Sequence, residues 1–164
     1  MAVCYIGLGA NLNDPEQQIR AALKALKQFP QTRLTAVSSL YGSKPLGPED
    51  QPDYLNAVAQ LQTQLEPLAL LDLLQTQEQV QGRVRKRHWG ERNIDLDMIL
   101  YDTLQLRSDR LNLPHHEMHK RSFVLIPLAE INPELTLPNG RNVGTITPEF
   151  DGELHRLKSL AELV

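Results

Sequence analysis

One cysteine, Cys4, is all the thiol this 164-residue chain contains, so no disulfide framework staples it and no cysteine pair holds a zinc ion. It reads as a small buried apolar side chain in a first strand. Aromatic residues are also scarce, at 5%, which argues against the paired stacking aromatics of an RNP-type RNA-binding sheet. The net charge of −3 lacks the basic balance of a general nucleic-acid binder. No apolar run is long enough to span a membrane and no signal peptide is visible, so a cytoplasmic protein without a membrane partner is expected. What is present is ordinary globular composition, 41% hydrophobic and 23% charged, at a length suited to one domain over residues 1–164.

Within that ordinary background one stretch stands out, Arg83-Val84-Arg85-Lys86-Arg87-His88-Trp89-Gly90-Glu91-Arg92-Asn93-Ile94-Asp95-Leu96-Asp97-Met98-Ile99-Leu100. It sets a dense cationic loop directly against two carboxylates on an apolar strand. Strand alternation places Asp95, Asp97 and Ile99 on one face and Ile94, Leu96, Met98 and Leu100 on the other. Two strand rises separate the aspartates by roughly 6.5–7 Å, so each could hold its own hard cation or both could share one. Mg²⁺ suits such a pair, because it takes one or two carboxylates together with substrate phosphates. Arg83, Arg85, Lys86, Arg87 and Arg92 would supply counter-charge for the remaining phosphate oxygens. The plainer reading is two solvated aspartates on an edge strand beside a basic surface loop. A loop so rich in cations is also expected to be mobile over Gly82 to Asn93 until a nucleotide orders it.

From the start, Ala2 to Leu8 is an apolar strand ending in Gly7-Leu8-Gly9-Ala10-Asn11-Leu12. Leu12 stands where a dinucleotide fingerprint needs its third glycine, and glycines for a tight strand exit are the simpler account. Asp14-Pro15-Glu16 reads as a capped helix start, followed by the stripe Ile19, Ala22, Leu23 and Leu26. Arg33 to Tyr41 is a second strand, followed by a loop dense in glycine and proline from Gly42 to Pro52. In a third strand, Tyr54 to Gln62, Leu55, Ala57, Ala59 and Leu61 face one way. Tyr54, Asn56 and Val58 face the other, where a ring and an amide could stack on and hydrogen-bond a flat heterocycle. Pro67 opens a second helix with the stripe Leu68, Leu71 and Leu74, stopping near Gly82, and Gln75 and Glu78 read as solvated polar residues on it.

Strand–helix–strand–strand–helix–strand is the split β-α-β order, so the fold class is α+β with a ferredoxin-like βαββαβ core. Both helices would cover one sheet face and leave the other as an open platform. A C-terminal hairpin and short helices follow. The latter are a buried helix from Val124 to Glu130 and a closing one from Leu154 to Leu163, with a turn at Pro138-Asn139-Gly140 between them. His115, His116, Glu117 and His119 do not have the H-E-x-x-H spacing of a zinc site.

Read together, several motifs resemble the 6-hydroxymethyl-7,8-dihydropterin pyrophosphokinase family nearly end to end. They are Tyr5-Ile6-Gly7-Leu8-Gly9-Ala10-Asn11-Leu12, Pro45-Leu46-Gly47-Pro48, Gln51-Pro52-Asp53-Tyr54-Leu55-Asn56, Gly82-Arg83-Val84-Arg85, Trp89-Gly90-x-Arg92-x-x-Asp95-Leu96-Asp97, Pro114-His115, Arg121-x-Phe123 and Pro127-Leu128. The resemblance implies diphosphate transfer from ATP to a pterin alcohol in folate biosynthesis, with Asp95 and Asp97 holding two Mg²⁺ ions. It implies that Tyr54 and Phe123 sandwich the pterin, with Asn56 and the backbone near Ser43 and Leu46 reading its edge. Gln75, Glu78, Arg85, Lys86, Arg92, His115, His116 and Arg121 would surround ATP, while Arg83, Arg92 and Trp89 belong to closing loops. ATP and the pterin would be the small-molecule partners of a monomer. Glu91 stands where such proteins frequently have proline. The competing class is a ferredoxin-like nucleic-acid-binding module without enzyme activity, which shares the element order.

Overall fold

The computed structural model describes residues 1–43, 53–82, 93–146 and 154–164. Strand β1 (Ala2–Ala10) is followed by helix α1 (Pro15–Leu26), strands β2 (Thr32–Val37), β3 (Leu40–Ser43) and β4 (Tyr54–Thr63), helix α2 (Pro67–Val80) and strand β5 (Asp95–Tyr101). Beyond these lie the hairpin strands β6 (Leu106–Arg107) and β7 (Asn112–Leu113), helices α3 (Ser122–Ile131) and α4 (Val143–Ile146), and strand β8 (His155–Lys158). Among the described residues the main sheet runs β5-β1-β4-β3-β8, with β2 also pairing β4. Taking β2 and β3 as one interrupted strand, the order is the ferredoxin-like one, and β8 adds an outer strand beside β3.

The interruption corrects the expected single strand from Arg33 to Tyr41. Ser38 and Ser39 break it, and both are buried, so their polar groups must find partners. Ser38 N donates to the Val58 carbonyl at 2.9 Å, and Ser38 Oγ accepts from Val58 N at 2.9 Å. The strand therefore stays on β4 while shifting its register.

Helices α1 and α2 cover one face. Ile19, Ala22, Leu23 and Leu26 pack with Leu70, Leu71 and Leu74 against Cys4, Ile6, Leu8, Ala57, Ala59, Leu61, Leu96 and Met98. The second stripe is thus Leu70, Leu71 and Leu74, while Leu68 is 44% exposed. Both helices begin at proline as expected, but Asp14 lies at φ 59 and makes no side-chain cap. Proline at the first position, whose missing N–H costs the helix nothing, marks the start without it.

The opposite face is not wholly open. Helix α3 lies over β4 and β3, burying Val124, Leu125 and Leu128 against Tyr5, Val58, Ile99 and Leu100. Leu100 was expected on the far side with Met98. A register shift between Tyr5 and Ile6 sets Tyr5 opposite Leu100 and Ile6 opposite Met98, so Ile99 is the extra residue. Such a bulge turns every later side chain of the strand over.

The C-terminal segment departs from the expected helix over Leu154 to Leu163. His155–Lys158 is instead a strand antiparallel to β3, and only Ala161–Leu163 is a 3-10 turn. His155, Arg156 and Lys158 suit its exposed edge position better than a helix needing an apolar stripe. Glu16 ties it back to α1, meeting Lys158 at 3.0 Å and Arg20 at 2.9 Å, while Arg20 reaches Glu162 at 3.3 Å.

Candidate functional site

Two rows of residues cross the platform face in register. Tyr41 pairs with Asn56, Asn56 with Gly9, and Gly9 with Asp95. Two residues away, Val58 pairs with Gly7 and Gly7 with Asp97. Side chains at paired positions share a face. Since Leu96 and Met98 are buried in the core beneath α1 and α2, Asp95 and Asp97 point to the other side. Asn56 and Asp95 thus stand two strand spacings apart, about 9–10 Å. Between them β1 contributes only hydrogen.

Gly7 and Gly9 therefore have a different purpose from the strand exit expected of them, because both lie inside β1. A Cβ at Gly9 would come within 3.1 Å of Asn56 Nδ2, and one at Gly7 within 3.2 Å of Ile99 Cδ1. Side chains there would fill the floor between the amide and the carboxylates.

At the amide end, Ser43 Oγ donates to Asn56 Oδ1 at 2.7 Å, and both residues are buried. This fixes which way the amide is turned and aims its N–H₂ group away from Ser43. Tyr54, paired with Ser43, lies on the same face two residues before Asn56. Phe123, near the start of α3, packs against the apolar cluster on that face. Tyr54 and Phe123 thus share the platform, one from the sheet and one from the helix above it.

At the carboxylate end, the His115 backbone N–H donates to the Ile99 carbonyl at 3.0 Å, which holds the 114–117 segment against β5. The His115 and His116 rings stack with centroids 5.0 Å apart. Burial, then the charges of Arg121 and His116, push the His115 imidazole down to about 4. Its Nδ1 accepts from Glu117 N at 3.3 Å, so the neutral ring carries its proton on Nε2. Arg121 is oriented twice, by Glu117 at 2.6 Å and by the Phe123 ring, whose centroid lies 5.5 Å from Cζ. Its hydrogen bond holds the Glu117 carboxyl below the usual range.

Gln75 and Glu78 separate. Gln75 accepts from Arg110 Nη2 at 3.2 Å, and Arg110 also meets Asp72, so this arginine joins the candidate residues although the sequence reading passed over it. Its position in the hairpin, far along the chain from α2, gave no periodic signal. Glu78 is not the solvated residue expected: it is 9% exposed, and its Oε2 accepts from Leu96 N at 2.8 Å, between the two aspartates. Burial follows from its place on the apolar stripe of α2, one turn after Leu74. Arg83, Arg85, Lys86, Trp89, Arg92 and Leu46, and most of the loop expected to close over a nucleotide, lie outside the described residues. The base of that loop does not: Asn93 Nδ2 donates to the Gln81 and Gly82 carbonyls at 2.7 and 2.8 Å, and its Oδ1 accepts from Asn13 at 2.7 Å.

A sequence profile of the family 7,8-dihydro-6-hydroxymethylpterin-pyrophosphokinase (HPPK) matches residues 5–133. The chain belongs to this family. A Haemophilus influenzae 2-amino-4-hydroxy-6-hydroxymethyldihydropteridine pyrophosphokinase is 53% identical over 150 residues, 92% of this chain and 94% of that protein. The Bacillus subtilis enzyme of the same name is 42% identical over 79% of this chain and 77% of its own length. In shape, the chain is similar to the Plasmodium falciparum HPPK-DHPS wild type with STZ-DHP, at TM-score 0.72 and 12% identity, covering 91% of this chain. It spans 43% of that longer chain, and at such low identity the likeness speaks for the HPPK fold alone. The two glycines of the platform lie within the matched stretch, as do Asp95, Asp97, Asn56, Tyr54 and Phe123.

Proposed function

We propose that the platform face is where this HPPK-family chain moves a diphosphate from ATP onto the hydroxymethyl group of 6-hydroxymethyl-7,8-dihydropterin, releasing AMP and feeding folate biosynthesis. The observation that carries the placement is the register row Tyr41, Asn56, Gly9 and Asp95, which joins an oriented amide to a carboxylate across a position that has no side chain. A flat heterocycle lying on Gly9 would present its polar edge to Asn56 and Ser43. Tyr54 and Phe123 would flank its faces. Its hydroxymethyl arm would then reach toward Asp95 and Asp97.

The carboxylate pair fits Mg²⁺, a hard cation that takes one or two carboxylates and fills its remaining sites with water and phosphate oxygens. Bound there, two Mg²⁺ ions would neutralise charge that develops between the α- and β-phosphoryl groups. This chain's own residues do the rest. Asn56 fixes the pterin's orientation, so that the hydroxymethyl oxygen is held in line with the β-phosphorus. Neutral His115, with its Nε2 proton, can donate to a phosphate oxygen without adding charge, whereas Arg121 brings charge already aimed by Glu117. Gln75, Glu78 and His116 complete the ATP side in this reading, with Arg83, Arg85, Lys86, Trp89 and Arg92 from the loop. The same reading takes the chain to be a cytoplasmic monomer. No helix among the described residues is long and apolar enough to cross a membrane.

Incubation with ATP, Mg²⁺ and 6-hydroxymethyl-7,8-dihydropterin, followed by chromatography for AMP, tests the reading. Pterin-dependent AMP is expected. ADP as the product, or AMP that forms equally well without pterin, would overturn it.

A further inference from the structure

Glu130 is a lone carboxylate near the end of α3, an otherwise apolar helix. Burial by itself would raise its pKa. Hydrogen bonds from Tyr41 and Ser39 outweigh that, aided by the charge of Arg156, and keep it below the ordinary glutamate range. Its Oε1 accepts from Ser39 N at 2.8 Å and from the Tyr41 hydroxyl at 2.7 Å; its Oε2 accepts from Ser39 Oγ at 2.7 Å. Arg156 of β8 closes the group, 3.4 Å from Oε2 and donating to Ser39 Oγ at 2.9 Å. The Glu130 side chain is 27% exposed, so it is not a deeply buried charge; what distinguishes it is that four donors from Ser39, Tyr41 and Arg156 converge on one carboxylate and hold it in a single place.

What the carboxylate joins gives the arrangement its meaning. Phe123 and Glu130 are seven residues apart on α3, two helical turns and about 10 Å along one side of it. Tyr41 is the cross-strand partner of Asn56, and Ser43, two residues on, hydrogen-bonds Asn56. The helix that brings Phe123 is therefore fastened at its far end to the strand that orients Asn56. The fastening is at the Ser38-Ser39 break between β2 and β3, where the pairing with β4 shifts its register.

We propose that Glu130 is a positioning residue for the pterin subsite: by locking α3 to β3 through Ser39 and Tyr41, it sets the gap between Phe123 and the Tyr54–Asn56 surface. Glu130 acts through these neighbours and does not itself contact substrate. The proposal rests on the pterin reading above. An aromatic slot only a ring's thickness deep tolerates little error, because a displacement near 1 Å at a positioning group is felt strongly in binding and rate. ATP, held by other elements, should not feel it.

Calorimetry with 6-hydroxymethyl-7,8-dihydropterin, and separately with a non-hydrolysable ATP analogue plus Mg²⁺, provides the test on the wild type and three variants. Glu130→Ala should raise the pterin Kd by about tenfold and Tyr41→Phe by about threefold, the scale of lost hydrogen bonds, with the analogue's Kd unchanged. Glu130→Gln keeps an acceptor for Ser39 N and Tyr41 and should recover most of the affinity. If Glu130→Ala does not fold, Tyr41→Phe decides. Variants that bind pterin like the wild type, or that lose pterin and ATP affinity equally, overturn the proposal alone. A wild type that binds no pterin overturns the functional reading and this inference with it.

Discussion

The two faces of one sheet, built by the same strands, follow different rules. On the face beneath α1 and α2, β1 presents Cys4, Ile6, Leu8 and Ala10, all at most 2% exposed, in an unbroken apolar layer. On the other face β1 presents Val3, Tyr5, Gly7 and Gly9, which taper from large to nothing. The large end is packed beneath α3 and the loop after it. The bare end is the floor between Asn56 and the aspartates. A strand interior normally loses stability at glycine, which has no side chain to pack and much entropy to lose. Two glycines placed on one face and none on the other therefore set that face apart, and they let Asn56 and Ile99 lie close over β1.

The sharpest way to break this contrast is at the carboxylates. Asp97→Asn keeps shape and removes charge on the platform face, so AMP formation should drop on the order of 10²–10³-fold. Thermal stability should stay within about 1 kcal/mol of wild type, as for a surface substitution. Near-normal turnover in a folded variant would remove Asp97 from the metal site.

The next contrast sets neighbouring residues of β1 against each other. Leu8→Ala deletes fully buried atoms and should cost ~2–5 kcal/mol in a denaturant melt while leaving the folded fraction active. Gly9→Val should do the reverse. Its Cβ would start 3.1 Å from Asn56 Nδ2, so it crowds the amide and raises the floor. A rise in the pterin KM of about tenfold is expected, with kcat affected less and ATP affinity not at all. Equal behaviour of the two variants in both assays would mean that the faces are not functionally distinct.

How far the sequence could show this follows from which forces act locally. Period-two alternation in β4 and β5 placed Asn56, Asp95 and Asp97 correctly, because strand geometry leaves a side chain two choices. It misplaced Leu100, since a bulge depends on the partner strand and leaves no local mark. Proline at Pro15 and Pro67 marked both helix starts. His155–Lys158 was misread because an edge strand's pairing is supplied by β3, more than a hundred residues away. Gly7 and Gly9 were visible, yet their purpose appears only once Asn56 and Asp95 stand on either side. Glu130 had a signal that could have been used: a carboxylate within Ser122–Ile131, an otherwise uncharged run, must have partners if the run is buried. Glu78 offered less, because its partner is a backbone amide of β5.

The smallest expected effect separates the two ends of the platform by pH. His115 titrates near 4 in the folded chain, against 6.5 for an ordinary imidazole, because burial and the charges of Arg121 and His116 oppose a second proton. Between those values the unfolded chain binds a proton that the folded chain refuses. Its contribution to stability is therefore fully present above pH 6.5 and is lost progressively as pH falls to about 4. In a thermal melt this is a gradual decline in Tm across that window, shallower in His115→Asn. The same substitution should leave the pterin Kd unchanged, since Asn56 and Ser43 lie at the other end of the floor. It should weaken binding of an ATP analogue by a few-fold, the scale of one neutral hydrogen bond. Proton NMR of the imidazole gives the direct check. A His115 resonance that titrates near 6.5 would mean that its ring is solvated, and the neutral donor assigned to the phosphate end of the site would have to be withdrawn.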